Sequence, residues 1–267
     1  MTVDKILNKL SVFDRISFVE ENHLYKIDGE FTNSPSVTRL LKKFKKEFDK
    51  EAAAAKTAKR LNTTVKQVLA DWEINNLYST TIGTMLHKYI ENSYLGIKEE
   101  FQGNFDRLGY DEKKDIAKNF PLLVNQFKNF HKDYRHLECI KNEVMLGDIE
   151  DTKICGMSDM LIFNNKTKKL EILDFKTNKR MEKKSKYGGK LLYPFDDMYE
   201  GELNEYAIQL NTYKYFVESY TDLKIDKLRI IWFNVKNKDY QIFDLQQMQP
   251  KIIDMFNVYK SASLFAG

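Results

Sequence analysis

Residues 157–163 and 169–175 are short, mainly apolar stretches with the polar string Asn164-Asn165-Lys166-Thr167-Lys168 between them. Two short apolar stretches separated by turn-forming residues predict two strands joined as a hairpin. The turn lies at one end, so Asp159, near the start of the first strand, and Asp174, near the end of the second, meet at the other. Residues 139–146 likewise predict a neighbouring strand that carries Glu143. Residues 16–31 alternate around Asp28-Gly29 and predict a small N-terminal strand pair, and residues 227–235 and 240–245 predict a closing pair.

Helical spacing fills most of the remainder. Ser34-Pro35-Ser36 is a helix start before Val37, Leu40, Leu41 and Phe44, and the alanine-rich stretch 51–60 favours helix. Thr63 caps a predicted helix through Val68 and Trp72, and a separate helix is expected from Thr81, with Gly83 near its entry, where the backbone passes close to something. Residues 101–115 read as a loop, and residues 116–134 and 204–220 as helices. Neither an internal repeat nor a clear linker splits the chain, although residues 1–80 read as an elaboration packed on a core of residues 81–267.

Composition narrows the class. With 267 residues the chain can bury a substantial core, and 13% aromatic residues argue against general disorder. The apolar runs fall far short of the roughly 18 residues a membrane span needs, and residues 1–9 lack the apolar centre of a secretory signal. A cytoplasmic protein with no membrane partner is the expectation. Cys139 and Cys155 are too few for a four-cysteine metal site and read as buried thiols. The net charge of +4 says little, but its distribution says more. Lys176, Lys179, Arg180, Lys183, Lys184, Lys186 and Lys190 face only Glu182 within residues 176–190. Such a loop attracts polyphosphate backbones through counterion release, the alternative being a solvated surface loop. The run Lys42-Lys43-Phe44-Lys45-Lys46 is followed by Glu47 and Asp49 and reads as a solvated helix face.

The chemistry concentrates at the hairpin's open end. Asp159 and Asp174 offer hard oxygen ligands, and magnesium usually reaches a protein through one or two carboxylates. Lys176, two residues beyond Asp174, projects from the same strand face, where its ammonium can polarise a phosphate or steady a water. Glu143 is a further acid of this catalytic set or a partner to its ligands. His87 and Glu91 stack one helical turn apart, as a metal-binding or proton-handling pair requires. Without such context, Asp and Lys at strand ends are ordinary solvated residues, and a lone His on an amphipathic helix is ordinarily structural.

Four pieces stand in order: Gly83-Thr84-Met85-Leu86-His87 with Glu91, Gly156-Met157-Ser158-Asp159, Asp174-Phe175-Lys176-Thr177, and Gln209-Leu210-Asn211-Thr212-Tyr213. This order resembles the RecB-like branch of the PD-(D/E)xK nuclease superfamily, over roughly half the chain. Ser34-Pro35-Ser36-Val37-Thr38 after a strand pair also resembles the start of phage and mitochondrial genome-maintenance exonucleases. The resemblance implies an α/β, restriction-endonuclease-like core, a mixed sheet flanked by helices, that cuts DNA with magnesium or, in its place, manganese. It implies His87, Asp159, Asp174 and the Phe175 carbonyl as metal ligands, Glu91 as a partner behind them, and Lys176 as the catalytic lysine. Gln209 and Tyr213 would position Lys176 or meet the nucleic-acid backbone, alongside Lys179, Arg180, Lys183 and Lys184 on the basic loop. Two departures follow: no iron-sulfur cluster, because the cysteines are too few, and no helicase phosphate loop, so any helicase or replication and recombination partner is a separate chain. A catalytically inactive DNA-binding scaffold of the same fold is the competing expectation. The stretch 179–204 would clamp substrate, with mobile glycines permitting closure.

Overall fold

The computed structural model describes residues 2–97, 105–185 and 188–264. In chain order these form α1 (Val3–Leu10), β1 (Ile16–Val19), β2 (Leu24–Ile27), β3 (Glu30–Phe31), α2 (Val37–Lys42), α3 (Lys50–Leu61), α4 (Val65–Leu95) and α5 (Tyr110–Asp133). There follow β4 (Leu137–Gly147), β5 (Cys155–Asn164), β6 (Lys169–Lys176), α6 (Glu202–Tyr220), β7 (Ile225–Trp232), β8 (Gln241–Asp244) and α7 (Gln249–Leu264). Phe101, Lys186 and Tyr187, which the sequence places in loops, lie outside the described residues.

The architecture is mixed α/β: a five-stranded sheet in the order β4-β5-β6-β7-β8 flanked by helices, with a separate three-stranded sheet β1-β2-β3. The pairs β4–β5, β5–β6 and β7–β8 run antiparallel. Among the described residues only β6 and β7 are parallel, and α6 is the crossover between them, which is the element a parallel pair requires. Alternation along β6 sends Leu170 and Ile172 to one face and Leu173 and Phe175 to the other. The first face is covered by α6, α2, α7, α1 and the small sheet through Leu40, Phe216, Ile252 and Ile6. The second is covered by α4 and α5 through Leu86, Ile90, Phe127 and Phe130.

Local signals explain several elements. Ser36 caps α2 by accepting from the Arg39 N–H, and Asp49 caps α3 by accepting from the Ala52 N–H. Thr64, one residue after the threonine marked by the sequence, caps α4 by accepting from the Gln67 N–H. Two expected helices prove to be one: α4 runs unbroken through 31 residues, past Thr81 and across the expected division between residues 80 and 81. Gly83 sits inside it, not at its entry, and the close approach is to Thr177, whose Oγ1 would lie 3.3 Å from a Cβ at that position. Helix α5 begins at Tyr110, six residues earlier than expected, with Asp111 and Glu112 in its first turn, where acids complement the helix dipole. Helices α1 and α7 were not expected. Among the described residues no helix is long and apolar enough to cross a membrane.

Candidate active site

The site forms where β5 and β6 part company. Their ladder ends at the pair Met160–Leu173, so beyond it the backbone of β6 lacks its partner strand on that side. The Asp159 carboxylate takes over: its Oδ2 accepts from the Phe175 N–H at 2.7 Å. On the other side β6 remains paired to β7 as far as Lys176–Trp232, which fixes the backbone that carries Asp174, Phe175 and Lys176. Asp174 and Lys176 share the face covered by α6, whereas Phe175 packs with Phe127, Phe130 and Phe233 beneath α4 and α5.

Asp174 is 1% exposed and forms an ion pair with Lys176. The ammonium meets Asp174 Oδ2, which is fully buried. Burial, reinforced by the Asp159 carboxylate, pushes Asp174 up to about 6 despite the nearby ammonium. For Lys176 burial alone acts downward, but Asp174 and Asp159 outweigh it and hold the ammonium above the usual lysine range. Two acids and one amine thus share a nearly dry pocket with one negative charge in excess when all are ionised.

His87 reaches the same strand end from α4. Its Nε2–H donates to the Phe175 carbonyl at 2.8 Å, while Nδ1 stands 3.6 Å from Asp159 Oδ2, beyond good hydrogen-bond distance. The imidazole and the carbonyl, both expected as metal ligands, are therefore bonded to each other. Among the described residues no three His, Cys, Asp or Glu side chains stand grouped as a ready metal cluster. The donor chemistry nonetheless suits a hard divalent cation. The two carboxylates carry excess charge over the single Lys176 ammonium, and a carbonyl and an imidazole become available once they separate.

Other expected residues are placed differently. Glu91 does not support His87; it pairs with Lys88 at 2.7 Å. Glu143 lies opposite Asp159 in the register, between the pairs Asn142–Met160 and Val144–Ser158, with a left-handed φ of 46° that turns it out to an exposed rim. Desolvation and the Glu91 and Asp159 carboxylates raise its pKa. Tyr213 is 1% exposed and cannot meet a nucleic-acid backbone. It wedges beneath Gly156, where a Cβ would lie 2.7 Å from its ring, and its hydroxyl accepts from Gln209 Nε2 at 3.0 Å. The residue that does touch Lys176 is Tyr206, with the ammonium 4.9 Å from its ring centroid. Its position one turn before Gln209 on α6 was the available sequence signal.

The basic segment after Lys176 is anchored at several points. The Asn178 carbonyl accepts from Trp232 Nε1 and Asn234 Nδ2, each at 2.8 Å, and its Oδ1 accepts from Tyr206. Lys179 donates to Asn75 on α4 at 2.9 Å, and Phe195 is fully buried against Phe44. Gly201 is a tight fit, since a Cβ there would lie 2.5 Å from the Lys183 carbonyl. Arg180, Lys183 and Lys184 are exposed, the last with its ammonium 4.1 Å from the Tyr199 ring centroid. A cleft of about 1010 Å³ opens beside Thr177 and Lys179, lined by both signs of charge, including Asp71, Asp115, Lys118 and Lys236.

No family model matches the chain, and no curated protein matches it. Among solved structures it is similar to one from Eubacterium rectale described as a "putative exonuclease", at 15% identity and a TM-score of 0.42, over 68% of this chain and 63% of that one. A second, SSO0001, aligns at 15% identity and a TM-score of 0.29, over 54% of this chain and 58% of its own. The chain thus spans less than two thirds of either protein, and neither likeness carries weight for fold or activity.

Proposed function

We propose that this chain is a metal-dependent nuclease that hydrolyses DNA phosphodiester bonds, an exonuclease acting on single strands or free ends. The observation that carries the reading is the buried Asp174–Lys176 pair beside Asp159 at the splayed end of β5 and β6. Asp159 and Asp174 would hold magnesium or manganese, joined by the Phe175 carbonyl and His87 after their mutual hydrogen bond opens. A divalent cation there supplies Lewis acidity toward a phosphate oxygen and lowers the pKa of a bound water. Lys176, kept protonated by its two carboxylate neighbours, donates to a non-bridging phosphate oxygen and stabilises the charge that builds on it. Tyr206 lies against the ammonium and is held by Asn178, so the lysine head stays in place during the reaction. The β6–β7 ladder keeps Asp174 and Lys176 in fixed register. A separate helicase or recombination protein would supply unwound strands.

A second reading, a DNA-binding scaffold that does not cut, draws on the His87–Phe175 hydrogen bond, which closes two expected ligands on each other. Incubation of end-labelled linear and closed circular DNA with magnesium or manganese separates the two. Digestion of the linear form with survival of the circle supports the exonuclease. Binding without cleavage under both metals, or equal rates for wild type, Asp174→Ala and Lys176→Ala, rejects it.

A further inference from the structure

A second, smaller cleft of about 300 Å³ lies between the small sheet, α2, the start of β5 and α6. Phe18 and His23 form one wall, with ring centroids 5.8 Å apart, and Tyr25 stands 4.9 Å from Phe18. Arg39, Gln209, Gly156 and Met157 also line the cleft. Phe18 is half-buried and His23 exposed, so an aromatic face is open to a ligand. Among the described residues the Tyr25 hydroxyl has no hydrogen-bond partner and the Arg39 guanidinium no ion-pair partner. Gln209 spends its amide on Tyr213, which leaves its carbonyl oxygen as an acceptor.

We infer that this cleft seats an unpaired nucleotide of single-stranded DNA, the base on Phe18 and His23 and the adjoining phosphate on Arg39. The inference rests on the nuclease reading for its choice of ligand. Three observations carry it. Aromatic faces stack on any exposed base, and a guanidinium without a partner meets a phosphate through paired hydrogen bonds. Met157 at the cleft is two residues before Asp159 on the same face of β5, about 7 Å away, close to the step between successive phosphates of an extended strand. One strand can therefore occupy cleft and acidic site together. A paired base presents no free face to such a wall, so the cleft would select unpaired over duplex ends.

The test is fluorescence anisotropy in EDTA with two labelled probes, octathymidylate and an octamer of abasic tetrahydrofuran units. Wild type should bind the thymidylate about 5- to 20-fold more tightly. Phe18→Leu should abolish that preference and leave abasic affinity unchanged, Phe18→Tyr should retain it, and exposed His23→Ala should reduce it. Arg39→Gln should weaken both probes alike and flatten the salt dependence. If Phe18→Leu and His23→Ala, both folded by circular dichroism, keep the wild-type ratio, the inference is overturned. Base preference in a wild-type protein that cuts no DNA would remove the nuclease reading alone; cleavage without base preference would remove the cleft alone.

Discussion

Strand β6 carries two buried acids three residues apart, and the protein treats them in opposite ways. Glu171, 0% exposed, accepts from Arg229 Nη1 at 2.6 Å and from Asn164 Nδ2 at 2.7 Å, while Arg229 also donates to Asp244 at 2.6 Å. Both of its oxygens are satisfied. Asp174, equally buried, has one amine on Oδ2 as its partner and a second carboxylate nearby that raises its pKa. A buried charge with complete partners holds a structure together, and breaking it leaves an uncompensated ion. A buried charge with incomplete partners stores electrostatic demand that a ligand can meet. The difference gives Glu171 a structural role and, on the proposed function, leaves Asp174 for chemistry.

The largest expected effect is on cleavage. Asp174→Ala and Lys176→Ala should each lower the rate on end-labelled single-stranded DNA at least about 10³-fold, roughly 4 kcal/mol of barrier. Glu171→Ala should instead leave the activity per folded molecule unchanged and lower unfolding free energy by about 3–5 kcal/mol, read from urea titration. An Asp174 variant that unfolds, or a Glu171 variant that folds normally but is inactive, would erase the distinction.

A finer contrast concerns pH. Because Asp174 is raised to about 6, the fold prefers it protonated. That preference is a stabilising contribution present below about pH 4 and lost as pH rises through about 6. Lys176 acts in the opposite sense, since its raised pKa means that the fold prefers the ammonium. With the metal absent, Asp174→Asn should therefore flatten the dependence of stability on pH between about pH 4 and 6. Urea midpoints at about pH 3 and about pH 7, about one unit to either side of this window, would show it. A steep slope retained in the Asn variant would place the titrating group elsewhere.

The contrast also shows what could be read from sequence. The hairpin and the meeting of Asp159 with Asp174 followed from two apolar stretches and the turn residues between them, because strand periodicity dictates which side chains share a face. The Ser36 cap and α6 were legible for similarly local reasons. The unbroken course of α4 was not, because Gly83 reads locally as a break while its cause, Thr177, lies 94 positions away in the chain. Helix α7 was missed although Ile252, Met255 and Phe256 follow helical spacing, since the apolar residues before it suggested only a closing strand pair. The roles of Tyr206 and Tyr213 depend on how α6 is rotated against the sheet, which motif spacing does not specify. The Gln-x-x-x-Tyr pair marked the correct helix and the wrong tyrosine for contact with Lys176.

Tyr206 offers an intermediate effect. Tyr206→Ala removes the ring against the Lys176 ammonium and the hydrogen bond to Asn178 together, and should slow cleavage about 10-fold, in line with a cation–π contact of roughly 1–2 kcal/mol. Tyr206→Phe keeps the ring and should lose only a fraction of that. Equal losses in the two variants would assign the effect to Asn178 rather than to the ring.

The smallest effect belongs to the basic segment. Asn178, Lys179 and Lys183 are anchored to the closing strands, α4 and α6, so on the proposed function the expected contribution of the exposed lysines is electrostatic. Lys183 and Lys184 are exposed and far from the buried pair in accessibility, and each could neutralise one phosphate. Neutralising a phosphate contributes about 0.9 to the slope of log affinity against log salt for duplex DNA and about 0.7 for single strands. Lys183→Gln should therefore reduce the slope by up to about 0.7 on single strands and leave the cleavage rate at saturating DNA unchanged. Lys184→Gln should reduce it by less, because Tyr199 already holds that ammonium against its ring. An altered saturating rate in either variant would mean that the segment takes part in closing the site, and the rigid picture drawn from its anchors would fail.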